Sequence, residues 1–212
     1  MRHSADNQST VIFVHGLWMT GLELCLLRRR VARDGYNTCR FRYFSLTRSM
    51  DEHVVRLHQF IQQHSATTLH LVGHSLGGLL ILQLLQQYDD IPPGRVVLLG
   101  SPVCGSQVAR VMKKQSVTRP LLGKSGADVL AEQHDPQWNG NREIGIIAGT
   151  TGIGVGRLFT RLSKPHDGTV AVAETHLEGA TDTMHLPATH TSLVYSGAAA
   201  DAVRHFLEKG YF

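Results

Sequence analysis

The stretch Gly73-His74-Ser75-Leu76-Gly77-Gly78 constrains this chain more than any other. It is preceded by the β-prone run Thr68 to Val72 and followed by Leu79 to Tyr88, which is apolar nearly all round. A strand must therefore become a buried helix within a few residues. So sharp a turn forces its central residue into a strained backbone conformation. Glycines two before and two after remove the Cβ atoms that would collide there. Ser75 then stands above a sheet edge at the start of a helix, where free amide N–H groups and the helix dipole favour a developing oxyanion.

Short apolar runs alternate with helical patterns along the rest of the chain, as expected of a parallel sheet covered on both faces. Val11 to Val14 reads as a strand ending at His15-Gly16, and Gly21 to Arg33 as a helix closed by Gly35. Thr38 to Phe44 reads as the next strand. Ser49-Met50-Asp51-Glu52 is a capping box opening a helix whose apolar stripe is Val54, Leu57 and Ile61. Further strands are expected at Arg95 to Leu99, Glu143 to Ala148 and Thr183 to Leu186, with a closing helix from Ala199 to Lys209. Residues 101–142 mix short helical patterns with Gly and Pro breaks. The expectation is one α/β domain over residues 1–212: an open, mostly parallel twisted sheet with helices on both faces.

Composition removes several alternatives. A length of 212 residues with 42% hydrophobic and 18% charged residues suits one domain with a full core. The net charge of +4 is mild, and its densest cluster, Arg28, Arg29, Arg30 and Arg33, reads as a solvated helix face. No aromatic residues interleave with these arginines, so no nucleic-acid partner is expected. Cys25, Cys39 and Cys104 are odd in number and lack CxxC spacing, which argues against a disulfide framework and a zinc site. The one HxxxH spacing, His70-Leu71-Val72-Gly73-His74, falls on an expected strand and its turn, where residues four apart are too distant to share an ion, and no metal or other cofactor is expected. Gly152-x-Gly154-x-Gly156 lacks dinucleotide-fingerprint spacing and reads as a mobile loop. Met1 to Thr10 is polar, and the run Leu79 to Leu85, interrupted by Gln83, is too short to cross a bilayer. A cytoplasmic protein without stable membrane insertion is the expectation. Oligomeric state is not legible.

With Val14-His15-Gly16-Leu17 early and Gly73-His74-Ser75-Leu76-Gly77-Gly78 in the middle, the chain resembles the α/β-hydrolase superfamily. It is most similar to small serine lipases and esterases, and the resemblance runs from Val11 to Phe212. It implies a minimal α/β-hydrolase fold with residues 101–142 as a small cap. It also implies Ser75 as nucleophile and the backbone amides of Leu17 and Leu76 as oxyanion-hole donors.

A serine hydroxyl needs a base within reach, and in this fold the order along the chain is Ser, acid, His. Asp167, in His166-Asp167-Gly168-Thr169-Val170, matches the Asp-Gly-x-Val segment that carries the acid in similar lipases. The connection from Gly149 to His166 is long for such a loop, and Asp135 is the fallback. His190 follows the last strand and matches a His-x-x-Leu ahead of a final helix, whereas the rival His185 falls inside the strand. His53, His58, His64, His70 and the outlying His3 read as surface or satisfied interior residues. Trp18 and His74 are expected to line or support the substrate site. Val103, Val108, Val111, Leu121, Leu122 and Trp138 are expected to supply apolar walls.

The resulting expectation is cleavage of a small-molecule carboxylic ester with an apolar acyl group of medium or long chain, through an acyl-enzyme. A thioesterase or acyltransferase would use the same three residues, and a non-catalytic ligand-binding homologue would keep only the pocket.

Overall fold

The computed structural model describes residues 9–64, 66–133 and 135–212. The polar N-terminal segment, with His3, lies outside the described residues. The strands are β1 (Thr10–Val14), β2 (Asn37–Phe41), β3 (Leu69–His74), β4 (Val96–Leu99), β5 (Ile144–Gly149) and β6 (Asp182–Leu186). They form one sheet in the order β2-β1-β3-β4-β5-β6, with every adjacent pair parallel. The helices are α1 (Cys25–Ala32), α2 (Met50–Gln62), α3 (Leu76–Gln87), α4 (Gln107–Lys114), α5 (Arg119–Val129) and α6 (Gly197–Lys209).

Strand alternation builds two cores. Val11 and Phe13 of β1 face one side and pack with Leu27 and Val31 of α1 and Val203 and Phe206 of α6. Ile12 and Val14 face the other side and pack with Leu57 and Ile61 of α2, Leu80 of α3 and Met112 of α4. A side-chain period of two on each strand makes both faces apolar, which is why the strands read as continuous hydrophobic runs.

From β1 the chain goes outward to β2 and then crosses back to β3, on the other side of β1. Adjacent parallel strands whose connections leave in opposite directions open a crevice at their C-terminal ends. Register places Val14 beside Gly73, so the segments leaving β1 and β3 emerge side by side.

Local chemistry explains where elements depart from simple periodicity. The helix expected from Gly21 begins only at Cys25, because Gly21 is left-handed at φ +84° and the Glu23 carboxylate accepts from the Gly21 amide at 2.9 Å, forming a turn. The strand expected to reach Phe44 stops at Phe41, opposite the last residue of β1. Two residues on, Tyr43 stacks on His15 at a ring separation of 4.3 Å. The Ser49–Glu52 capping box is present at α2, and Gly210 caps α6 in the left-handed region at φ +86°. Arg28 is turned inward, donating to the Thr38 carbonyl at 2.7 Å, so the arginine cluster is not wholly a solvated face. The three cysteines are free and half-buried. No helix among the described residues is long and apolar enough to cross a membrane.

Backbone packs directly on backbone where α3 meets β1. A Cβ on Gly77 would overlap the Val14 carbonyl and come within 2.6 Å of the His15 carbonyl, both backbone atoms that cannot swing away. Gly77→Ala is therefore expected to cost about 1–3 kcal/mol in urea unfolding. An unchanged midpoint would mean that the helix can lift without penalty.

Burial also makes folding sensitive to acid. Burial pushes His53 and His70 down to about 4, with neighbouring arginine charge adding to the effect on His70. Between the unfolded value of 6.5 and these folded values, the unfolded chain holds the extra protons. Stability is thus complete above that window and falls as pH drops through it. Urea titrations across this range are expected to show the decline, and His53→Leu is expected to reduce its slope.

Candidate active site

Ser75 sits between β3 and α3 at φ +54° and ψ −124°, a conformation that costs a non-glycine residue of order 1–3 kcal/mol. Three neighbours enforce it. The Ser75 amide donates to the Leu99 carbonyl of β4 at 2.9 Å, and its own carbonyl accepts from the Gly78 amide at 3.0 Å. A Cβ on Gly73 would stand 2.6 Å from the Gly78 Cα, so the strand can pass the helix this closely only with glycine at 73.

The loop after β1 crosses directly beside this turn. A Cβ on Gly16 would approach the Ser75 Cβ to 2.9 Å. Among the described residues, no hydrogen bond within the chain consumes the Leu17 or the Leu76 amide. Behind the loop, the His15 ring is buried and Nδ1 donates to the Gly16 carbonyl at 2.9 Å. The Tyr43 hydroxyl donates to the His15 carbonyl at 2.7 Å, and the His53 ring meets the Tyr43 ring edge-on at 4.6 Å. This buttress was not legible in the sequence, because it joins three distant segments through one aromatic residue.

Asp167 and His190 form a fixed pair. His190 Nδ1 lies 2.7 Å from Asp167 Oδ2, so Nδ1–H donates to the carboxylate and the neutral ring carries its lone pair on Nε2. Asp167 Oδ1 accepts from the amides of Thr169 at 2.9 Å and Val170 at 2.7 Å. The His190 amide in turn donates to the Asp167 carbonyl at 2.9 Å. Burial by itself would raise the Asp167 carboxyl. The adjoining His190 ring and the two amides outweigh it and hold the group below its ordinary value. Gly100, left-handed at φ +55°, passes so close that a Cβ there would meet His190 Nδ1 at 3.2 Å and Asp167 Oδ2 at 3.3 Å.

The long connection from Gly149 to His166 folds back on itself. The Gly156 amide donates to the Gly168 carbonyl at 2.9 Å, and a Cβ on Gly149 would meet the Asp167 Cβ at 2.8 Å. The acid is thereby returned to the C-terminal end of β5 despite the length of the loop. Asp135 lies elsewhere, in a hollow with Gln83 and Gln137, and His185 is exposed on the edge strand β6.

The His74 ring is wholly buried beneath the pair. Its Nε2 lies 3.1 Å from the His190 carbonyl, which can only accept, so the proton is on Nε2. Burial, reinforced by the neighbouring His190 ring, lowers His74 to about 3, and the ring stays neutral. His74 thus supports the His190 backbone from below as well as bordering the cavity.

Ser75, His74 and His190 open onto one cavity of about 230 Å³. The Ser75 hydroxyl makes no hydrogen bond to the His190 ring; the two side chains share the cavity wall. Leu17, Val108, Met112, Leu122, Leu130 and Val170 make the wall apolar, and Ser106, Thr169 and Thr191 add hydroxyls. Trp18 also lines it, at φ +61°, and its Nε1 donates to the Leu121 carbonyl at 2.6 Å.

Four of the expected apolar walls lie elsewhere. Trp138 lines a separate hollow of about 730 Å³ with Arg95 and Glu143, which immediately precede β4 and β5. It therefore stands at the opposite end of the sheet, its Nε1 donating to the Arg142 carbonyl at 2.9 Å. Val103 packs in the core, Leu121 is exposed and contributes only its carbonyl, and Val111 is not part of the lining. Met112 and Leu130 were missed; Met112 follows Val108 at helical spacing, a signal that short amphipathic helices supply. Among the described residues, no group of three or more His, Cys, Asp or Glu side chains is arranged to hold a metal ion.

The mature form of a Bacillus licheniformis lipase is similar in fold, with a TM-score of 0.74 and 17% identity, covering 100% of this chain and 95% of the other. A metagenomic carboxyl esterase superposes with a TM-score of 0.65 at 17% identity, covering 97% and 75%. The RedJ thioesterase of the prodiginine biosynthetic pathway in Streptomyces coelicolor does so at 0.64 and 14%, covering 97% and 87%. No curated protein sequence matches the chain. The model of the alpha/beta hydrolase family matches residues 11–208, nearly the whole length, and the chain belongs to that family.

Proposed function

We propose that this protein is a serine hydrolase that cleaves carboxylic esters with a short or medium apolar acyl group. One observation carries the reading: a strained serine and a carboxylate-anchored histidine border a single apolar cavity at the sheet's crevice. His190 Nε2, its lone pair free, takes the proton of the Ser75 hydroxyl as the oxygen attacks the substrate carbonyl. Hydrogen-bond length between the two is reached in the substrate complex, as is usual for such pairs. The amides of Leu17 and Leu76 receive the oxyanion; one such donor is worth about 3 kcal/mol in the barrier.

Asp167 holds the His190 tautomer and balances the imidazolium charge. Collapse expels the leaving group, which takes the proton from His190 and leaves an acyl-Ser75. Water, deprotonated by His190, then releases the acid. Trp18 and the apolar side chains hold the acyl group, while His74 keeps His190 in place. Residues 101–142 act as a small cap, since α4 and α5 contribute Val108, Met112 and Leu122 to the wall. At about 230 Å³ the cavity is smaller than a drug-sized pocket, which favours the shorter acyl groups.

Labelling with a fluorophosphonate probe is expected to modify Ser75 and no other residue. Ser75→Ala is expected to lower kcat on p-nitrophenyl esters by about 10⁴-fold or more with unchanged unfolding behaviour. Asp167→Asn is expected to cost about 10⁴-fold through the wrong His190 tautomer. Near-parental turnover by Ser75→Ala would eliminate the mechanism, whereas neither labelling nor turnover in the unaltered protein would leave a ligand-binding role.

A further inference from the structure

The loop after β1 is held from behind by the residues that leave β2. Tyr43 meets His15 in three ways. Its ring stacks on the imidazole at 4.3 Å, its hydroxyl donates to the His15 carbonyl at 2.7 Å, and its amide donates to His15 Nε2 at 3.5 Å. Two residues on, the buried Ser45 hydroxyl accepts from the Trp18 amide at 3.3 Å. Leu17 therefore lies in a loop fastened on both sides, while its own amide has no hydrogen bond within the chain among the described residues.

The His15 tautomer follows from its partners. The Tyr43 amide can only donate and the Gly16 carbonyl can only accept, so Nε2 carries the lone pair and Nδ1 the proton. Burial holds the His15 ring below its ordinary value and the Tyr43 hydroxyl above its own, so the ring stays neutral and the hydroxyl stays a donor. Nδ1–H grips the Gly16 carbonyl at 2.9 Å. The peptide joining Gly16 to Leu17 is trans, and a planar trans peptide points its C=O and N–H in opposite directions. The His15 ring is wholly buried and no part of the cavity wall, so a carbonyl turned to it sends the Leu17 N–H the other way. Gly16 and Leu17 both border the cavity, and Gly16 lies against Ser75.

We propose that Tyr43 is a positioning residue for the ester cleavage: acting through the His15 ring and carbonyl, it keeps the Gly16–Leu17 peptide turned with its N–H toward the oxyanion. The proposal rests on the Ser75 reading, because it needs an oxyanion to form at that serine. Tyr43 lies outside the cavity wall and touches no reacting atom, so its effect passes only through the peptide it holds.

Kinetics on p-nitrophenyl hexanoate, with inhibition by pentyl trifluoromethyl ketone and by pentyl methyl ketone, test this. The trifluoromethyl ketone takes the Ser75 oxygen onto its carbonyl carbon, the hydroxyl proton passes to His190, and the carbonyl oxygen becomes an oxyanion. The methyl ketone binds without that step. Complete loss of one oxyanion donor lowers kcat by about 10²–10³. Tyr43→Phe keeps the ring and the amide, and is expected to lower kcat by about tenfold with KM unchanged. Its inhibition constant for the trifluoromethyl ketone is expected to rise by the same factor, and that for the methyl ketone to stay as it was. His15→Leu is expected to do the same or more. His15→Asn, which keeps a donor near the Nδ1 position, is expected to lose less than His15→Leu, and equal losses overturn the proposal. Should His15→Leu fail to fold, Tyr43→Phe decides alone. A shifted urea midpoint in Tyr43→Phe with kcat and both inhibition constants unchanged marks a role in stability only; it overturns the proposal and leaves the Ser75 reading intact. A rise in both inhibition constants marks a distorted cavity and also overturns it. Absence of hydrolysis by the unaltered protein overturns both readings.

Discussion

Three chain segments pass one another at the C-terminal ends of β1 and β3 more closely than side chains would permit. Gly77 lies against the Val14 and His15 carbonyls, Gly73 against Gly78, and Gly16 against Ser75. This backbone-to-backbone approach is what the site depends on. Because α3 cannot lift away from β1, the residue joining β3 to α3 has no relaxed conformation available, and Ser75 is held at φ +54°. The strain, of order 1–3 kcal/mol, is small against the burial of two cores and persists because the surrounding sheet over-determines it. The same proximity brings Gly16, the residue before Leu17, against the serine.

The remaining parts are tied to that crossing by short, directional contacts. Asp167 and His190 are joined twice, through their side chains and through the His190 amide and Asp167 carbonyl, so neither can turn alone. His74, next to the serine in the chain, supports the His190 carbonyl from the third strand. Each contact crosses a large span of sequence, and each is buried enough that water does not compete with it.

The strands and their order of appearance were readable because a doubly covered parallel sheet writes itself as continuous apolar runs, and because Gly35 and Gly210 mark helix ends. Ser75 stood out for a local reason: glycine spacing and a strand-to-helix change occur within a few residues. The Asp167 and His190 positions were reached through likeness to similar lipases; periodicity alone did not distinguish them from the other acids and histidines. What could not be read was tertiary. Nothing in the letters shows that Tyr43 leaves its strand to brace His15, or that Glu23 unwinds the first turn of α1. Nor do they show that Trp138 serves the far end of the sheet while Met112 faces the serine. Hydrophobicity marks a residue for burial without saying which face, or which end, will bury it.

Trp18 carries one further consequence. Its indole N–H is bound to a carbonyl of α5, and its backbone adjoins the Leu17 amide. A displacement of α5 would break that tether and free the indole at the cavity wall, while the Trp18 amide would stay bound to the Ser45 hydroxyl and keep the loop after β1 in place.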